Sequence, residues 1–124
     1  MSNPRAVTVV SEDTRTRGDL ARYLVAAGFE VTEVRNWPRT PAAEALVWLT
    51  EHDLHPGVAE TVIRAWLAAG DASRRAVVVT WRPAALRVLS DEFAGRLFVL
   101  PPPAFGWQVV DALRAGDPGA PEAA

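Results

Sequence analysis

The chain predicts an α/β fold of three layers, with a five-stranded parallel sheet covered by helices on both faces. Two observations predict it. Short apolar, β-branched runs alternate from end to end with stretches of helical periodicity, and each apolar run is too short to be a helix of its own. At 124 residues, there is room for one compact core and not for two.

Ala6 to Val10 is a continuous run suited to a central strand buried on both sides. Ser11, Glu12, Asp13 and Thr14 then supply caps and acidic charge for a helix with Leu20, Leu24 and Ala27 inward and Gly28 at its end. Phe29 to Val34 forms the second strand, with Phe29, Val31 and Val34 on its apolar side. Asn36 to Pro41 holds two prolines and little periodicity, which leaves about one helical turn where a full crossover helix belongs. The second helix is therefore expected to be shortened or absent.

The third strand, Ala45 to Leu49, runs into the polar loop Thr50 to His55, and Pro56 opens the next helix. Val58, Val62, Ile63, Trp66 and Leu67 make the apolar stripe of that helix, and Gly70 closes it. Ala76 to Trp81 is the fourth strand. A helix from Pro83 carries Leu86, Leu89 and Phe93 inward and ends near Gly95. Leu97 to Leu100 is the fifth strand, and after Pro101, Pro102 and Pro103 a last helix packs Trp107, Val110 and Leu113 or their neighbours. Residues 1 to 115 make the domain; 116 to 124, rich in Gly, Pro and Ala, read as a disordered tail or linker. The alternation amounts to a flavodoxin-like sandwich, a topology that hosts many functions.

Composition narrows the function. Hydrophobic residues at 49% and charged residues at 23% are ordinary for a soluble domain, and no apolar run approaches a membrane span of ~20 residues. The N-terminus lacks the basic and apolar regions of a signal peptide, so a cytoplasmic location is expected. With no cysteine there are no disulfides, thiolate metal sites or thiol chemistry. A net charge of −2 without a basic cluster argues against nucleic acid. All 13 basic side chains are arginine, which removes Schiff-base chemistry with the lysines.

On these elements, and on the stretch Leu20 to Val31 (LARYLVAAGFEV) and the strand Ala76 to Thr80, the chain resembles the receiver domain of bacterial response regulators. The resemblance runs from Val7 to about Leu113. It implies a phosphorylation pocket at the strand ends, with the magnesium-holding acidic pair at Ser11 and Glu12 beside Asp13, and the phosphoacceptor at Thr50. It also implies the switch hydroxyl at Thr80 and the lysine position at Pro101, or at Pro102 if the last helix sets the register. Threonine cannot form an acyl phosphate and proline carries no cation. The resemblance thus implies a degenerate pseudo-receiver, non-enzymatic and without a cofactor. Its partner-binding face would comprise Trp81, Arg82, Leu86, Arg87, Phe98 and Trp107, with a protein, a second copy or an output domain of a longer chain as partner.

Other candidate sites rest on the residues themselves. Glu12 and Asp13, with Glu51 and Asp53, are weak metal candidates, since acids near helix N-termini are favoured without a ligand. His52 and His55 lack a placed third ligand. Ser11, Thr50 and Thr80 have no evident base, and no glycine-rich turn follows the first strand. Trp48 and Trp66 are expected in the core, whereas Trp37 falls in a loop. Two alternatives stay open: a regulatory domain sensing a metal or small ligand, and an enzyme of an unrelated flavodoxin-like family.

Overall fold

A computed structural model of the chain describes residues 5–35, 44–49, 56–69 and 74–115, with side chains from residue 60 onward in the third of these segments. The expected short second helix, Trp37, the loop Thr50 to His55 with its acids and histidines, Gly70 and the tail 116 to 124 lie outside the described residues, as does the side chain of Val58. In chain order the elements are β1 (Ala6–Val10), α1 (Thr14–Ala26), β2 (Glu30–Val34), β3 (Ala45–Leu49), α2 (Pro56–Ala69), β4 (Arg75–Val79), a 3₁₀ turn (Pro83–Leu86), α3 (Arg87–Glu92), β5 (Leu97–Leu100) and α4 (Gly106–Arg114). All strand pairings are parallel, in the order β2-β1-β3-β4-β5.

Strand alternation builds the two cores. In β3, Ala45 and Val47 face the layer of α1 and α4, where they meet Leu20, Leu24, Val110 and Leu113. Leu46 and Trp48 face the other layer, with Ile63, Trp66 and Leu67 of α2 and Leu86 and Leu89 beyond them. A strand buried on both faces has no polar side, which is why β1, β3 and β4 read as unbroken apolar runs. β4 begins and ends earlier than the sequence pattern suggests. Its first residue is Arg75, buried through its own hydrogen bond, so that Thr80 and Trp81 fall in the loop beyond it. In α4 the inward residues are Val109, Val110, Ala112 and Leu113, and Trp107 turns outward.

Arginine closes the helices at the base of the sheet. The last carbonyls of a helix have no intrahelical donor, and a cation there also favours the helix dipole. Arg114 donates to Ala27 O at the end of α1 (3.0 Å), Arg74 to Trp66 O (2.8 Å) and Arg96 to Leu67 O (2.9 Å) near the end of α2, and Arg75 to Leu113 O at the end of α4. Gly28 completes the exit from α1 at φ +104°, a left-handed conformation that glycine adopts without strain. Inside α1, Gly18 has nothing within 4 Å of where a Cβ would stand. Gly18→Ala is expected to stabilise the domain by about 0.5–1 kcal/mol through helix propensity alone. A lower melting temperature would show that the glycine serves a contact within the fold.

Candidate functional site at the strand ends

The register brings three sequence-predicted positions to one edge. Val10 pairs with Trp48, and Val79 pairs with both Leu49 and Leu100. Ser11, Thr80 and Pro101 therefore each follow the last residue of a neighbouring strand. This is the carboxyl end of the sheet, beside the β1–β3 switch point where open parallel sheets bind ligands.

The polar groups at this edge are turned to the protein's own backbone. Ser11 is buried; its N donates to Val34 O (3.1 Å) and its Oγ accepts from Asp13 N (3.1 Å). Its carbonyl accepts from Arg17 Nη1 (2.8 Å), and Arg17 Nε also reaches Glu33 Oε1 (3.2 Å). Asp13 is the N-cap of α1. Its Oδ1 accepts from Arg15 N (3.0 Å) and Thr16 N (3.3 Å), and its Oδ2 from Thr16 Oγ1 (3.1 Å). At Thr80, half-buried, the Oγ1 accepts from Arg82 N (3.1 Å) and the backbone N donates to Leu100 O (3.0 Å). Glu12 and Pro101 are exposed.

Hydrogen bonds from the Thr16 backbone, then from its hydroxyl, hold the Asp13 carboxyl below its ordinary pKa. The cap therefore stabilises the fold fully above the unfolded value of ~3.9, and this contribution is lost as pH falls through the lower folded value. Asp13→Asn keeps a capping oxygen but removes the titration, so its melting temperature should fall less between pH 5 and pH 2 than the parent's. Equal falls in the two proteins would rule out this role for Asp13.

A magnesium ion needs a near-octahedral shell of oxygens with one or two carboxylates. Among the described residues Asp13 is committed to its cap, Ser11 to the turn, and no three His, Asp or Glu side chains converge. The described residues by themselves do not supply such a shell.

The six residues expected to form a binding face do not share one surface. Leu86, 3% exposed, is a core residue between the sheet and α2, and Phe98 packs into the opposite core against α1 and α4. Both sit where helical or strand periodicity turns an apolar residue inward: Leu86 is closed to a partner, and Phe98 is half-buried. Trp81, Arg82 and Arg87 are exposed around the 3₁₀ turn, near an exposed Val88 that the sequence reading missed. Trp107 belongs elsewhere: with Tyr23, Ala26, Ala27, Val110, Asp111 and Arg114 it lines a groove between α1 and α4. Tyr23 was also missed. Its place one residue before Leu24 puts it on the flank of the inward stripe, and a helical wheel shows that position.

Sheet order, strand-end edge and helix layers decide the comparison. The fold is that of a response-regulator receiver domain. A receiver domain protein from Clostridium thermocellum matches with a TM-score of 0.69, 11% identity, and coverage of 88% of this chain and 90% of that one. The non-phosphorylated HemR receiver domain from Leptospira biflexa gives 0.66 at 16% identity over 94% and 98%. A response regulator from Burkholderia pseudomallei, solved with a phosphorylated aspartic acid, a calcium ion and citrate, gives 0.66 at 19% identity. That match covers 88% of this chain and 66% of the regulator. No protein-family model matches the chain, and no curated protein is similar to it in sequence. The receiver fold is thus shared at identities where only the fold carries over. No helix among the described residues is long and apolar enough to cross a membrane.

Proposed function

We propose that the chain is a pseudo-receiver: a signalling domain of receiver fold that acts by protein–protein contact, in the cytoplasm, without being phosphorylated. The observation that carries this reading is the absence of any lysine from the sequence. Phosphoryl transfer is governed by positioning and charge stabilisation, and the ammonium that receivers hold beside the phosphoryl group has no counterpart here in any alignment. Threonine at position 50 supports the reading, as do the use of Asp13 as a helix cap and the engagement of Thr80 Oγ1 by Arg82 N. The reading includes no catalytic step. Its partner is another protein, a second copy or an attached output domain, and the exposed Trp81, Arg82 and Arg87 offer one contact surface.

Amide NMR spectra recorded while magnesium and then beryllium fluoride are added test it. No saturable shift is expected at Glu12, Thr50 or Thr80. Thr50→Asp alone should stay unlabelled by acetyl phosphate, because the cation and one acid are still missing. Stable labelling would overturn the assignment of the pocket positions, and saturable shifts in the parent would favour a ligand-sensing domain.

A further inference from the structure

Two exposed aromatic side chains meet on one flank of the domain. Tyr23 on α1 and Trp107 on α4 are 46% and 56% exposed, and between them lies a groove of about 430 Å³, within the ~300–1,000 Å³ typical of binding sites. Ala26, Ala27 and Val110 complete its apolar lining, and Asp111 and Arg114 supply charge. The helices are set for this arrangement. At Gly106, the first residue of α4, a Cβ would stand 2.6 Å from Tyr23 Cγ, so the tyrosine ring rests directly on the glycine backbone.

The two charges differ in what they already do. Arg114 donates to Ala27 O (3.0 Å) and stands over the Phe29 ring at 5.4 Å, which commits its guanidinium to the end of α1. Asp111, one turn earlier on α4, is exposed and makes no hydrogen bond or ion pair among the described residues. The groove therefore presents two exposed aromatic rings and one carboxylate outside any ion pair among the described residues, with the Arg114 guanidinium held back at the end of α1. A cation over tryptophan or tyrosine is attracted by the ring quadrupole, and a planar guanidinium can stack on the ring while forking onto a carboxylate.

We propose that the groove between α1 and α4 binds an arginine side chain of a partner protein through Tyr23, Trp107 and the Asp111 carboxylate. The inference shares with the proposed function only the premise that the domain binds a protein. It does not depend on the phosphorylation pocket being silent.

The probe is a capped tripeptide with a central arginine, titrated into the labelled domain and followed at the Trp107 indole N–H and the Asp111 amide. Saturable shifts are expected for the arginine peptide. The citrulline peptide, equal in shape and uncharged, should bind roughly tenfold more weakly, as should the arginine peptide with Asp111→Asn or Trp107→Ala. Gly106→Ala leaves both of those residues in place but displaces the Tyr23 ring, and it too should weaken binding. The amide spectra of all three variants show whether the fold is kept. No saturation with the arginine peptide, or an equal response to citrulline, would overturn the proposal. Shifts of the same residues on concentrating the protein alone would place the arginine on a second copy and overturn the partner assignment. A silent beryllium fluoride titration with a positive peptide titration would uphold both readings, so the failure of either is visible separately.

Discussion

Arg75→Met is expected to lower the unfolding free energy by about 2–4 kcal/mol. Arg75 is 7% exposed at the start of β4, and its guanidinium donates to Leu113 O at the end of α4. Methionine keeps much of the apolar volume, so the loss isolates the polar contact. A hydrogen bond involving a charged group contributes about 1.5–3 kcal/mol, and the carbonyl left behind is costly because the site is closed to water. The favourable meeting of the cation with the helix dipole goes as well. Urea unfolding should show the midpoint falling by about 1 M, given a slope of ~1–3 kcal/mol/M. Arg75→Lys should recover part of the loss, because an ammonium can still donate to one carbonyl but cannot fork. A change below about 1 kcal/mol in the methionine variant would mean that α4 is held by its apolar face alone.

That arginine is one of four closing helix ends at the base of the sheet, and the placement separates two regions of the molecule. Arg74 and Arg96 tie the end of α2 to the segments before β4 and β5, Arg75 ties the end of α4 to β4, and Arg114 ties α4 to the end of α1. The opposite edge holds Ser11, Asp13 and Thr80, whose side-chain bonds are local and span two or three residues within single turns. Long-range ties at the base hold the topology irrespective of what stands at the strand ends. The fold is therefore held by contacts that do not involve the residues at its strand ends.

Most of this architecture was legible in the chain. β1 and β3 fall where unbroken apolar runs predict them, because central strands with two buried faces leave no ambiguity of period, and the edge strand β5 falls on its short apolar run as well. Trp48 and Trp66 are buried, as their apolar settings imply. The start of β4 was less legible: a buried arginine looks polar in sequence, and only the carbonyl of Leu113, 38 residues away, explains it. The strand-end positions came from the resemblance to receivers, and which of the four polar residues after β1 caps α1 depends on the local turn that selects Asp13. The exposed groove was hidden for a different reason. Tyr23 and Trp107 lie 84 positions apart, and only the pairing of α1 with α4 brings them to one groove.

Trp66→Ala and Trp107→Ala should separate structural from surface tryptophan. Trp66, 4% exposed, fills the core between α2 and the sheet, while Arg74 lies over its ring at 4.7 Å and donates to its carbonyl (2.8 Å). Truncation leaves a cavity and removes the stacked cation, and is expected to cost about 3–5 kcal/mol, a large share of the ~5–15 kcal/mol that holds a domain of this kind. Trp66→Phe should cost clearly less, since most of the ring volume stays. Trp107, 56% exposed on the flank of α4, should change stability by no more than about 0.5 kcal/mol when truncated. Thermal unfolding of the three variants reads the contrast directly. A large loss at Trp107 would make that ring part of the fold's own packing. A small one leaves a large, half-open indole that folding does not require, beside a carboxylate with no partner among the described residues, and contact with another molecule is then the role that its chemistry suits.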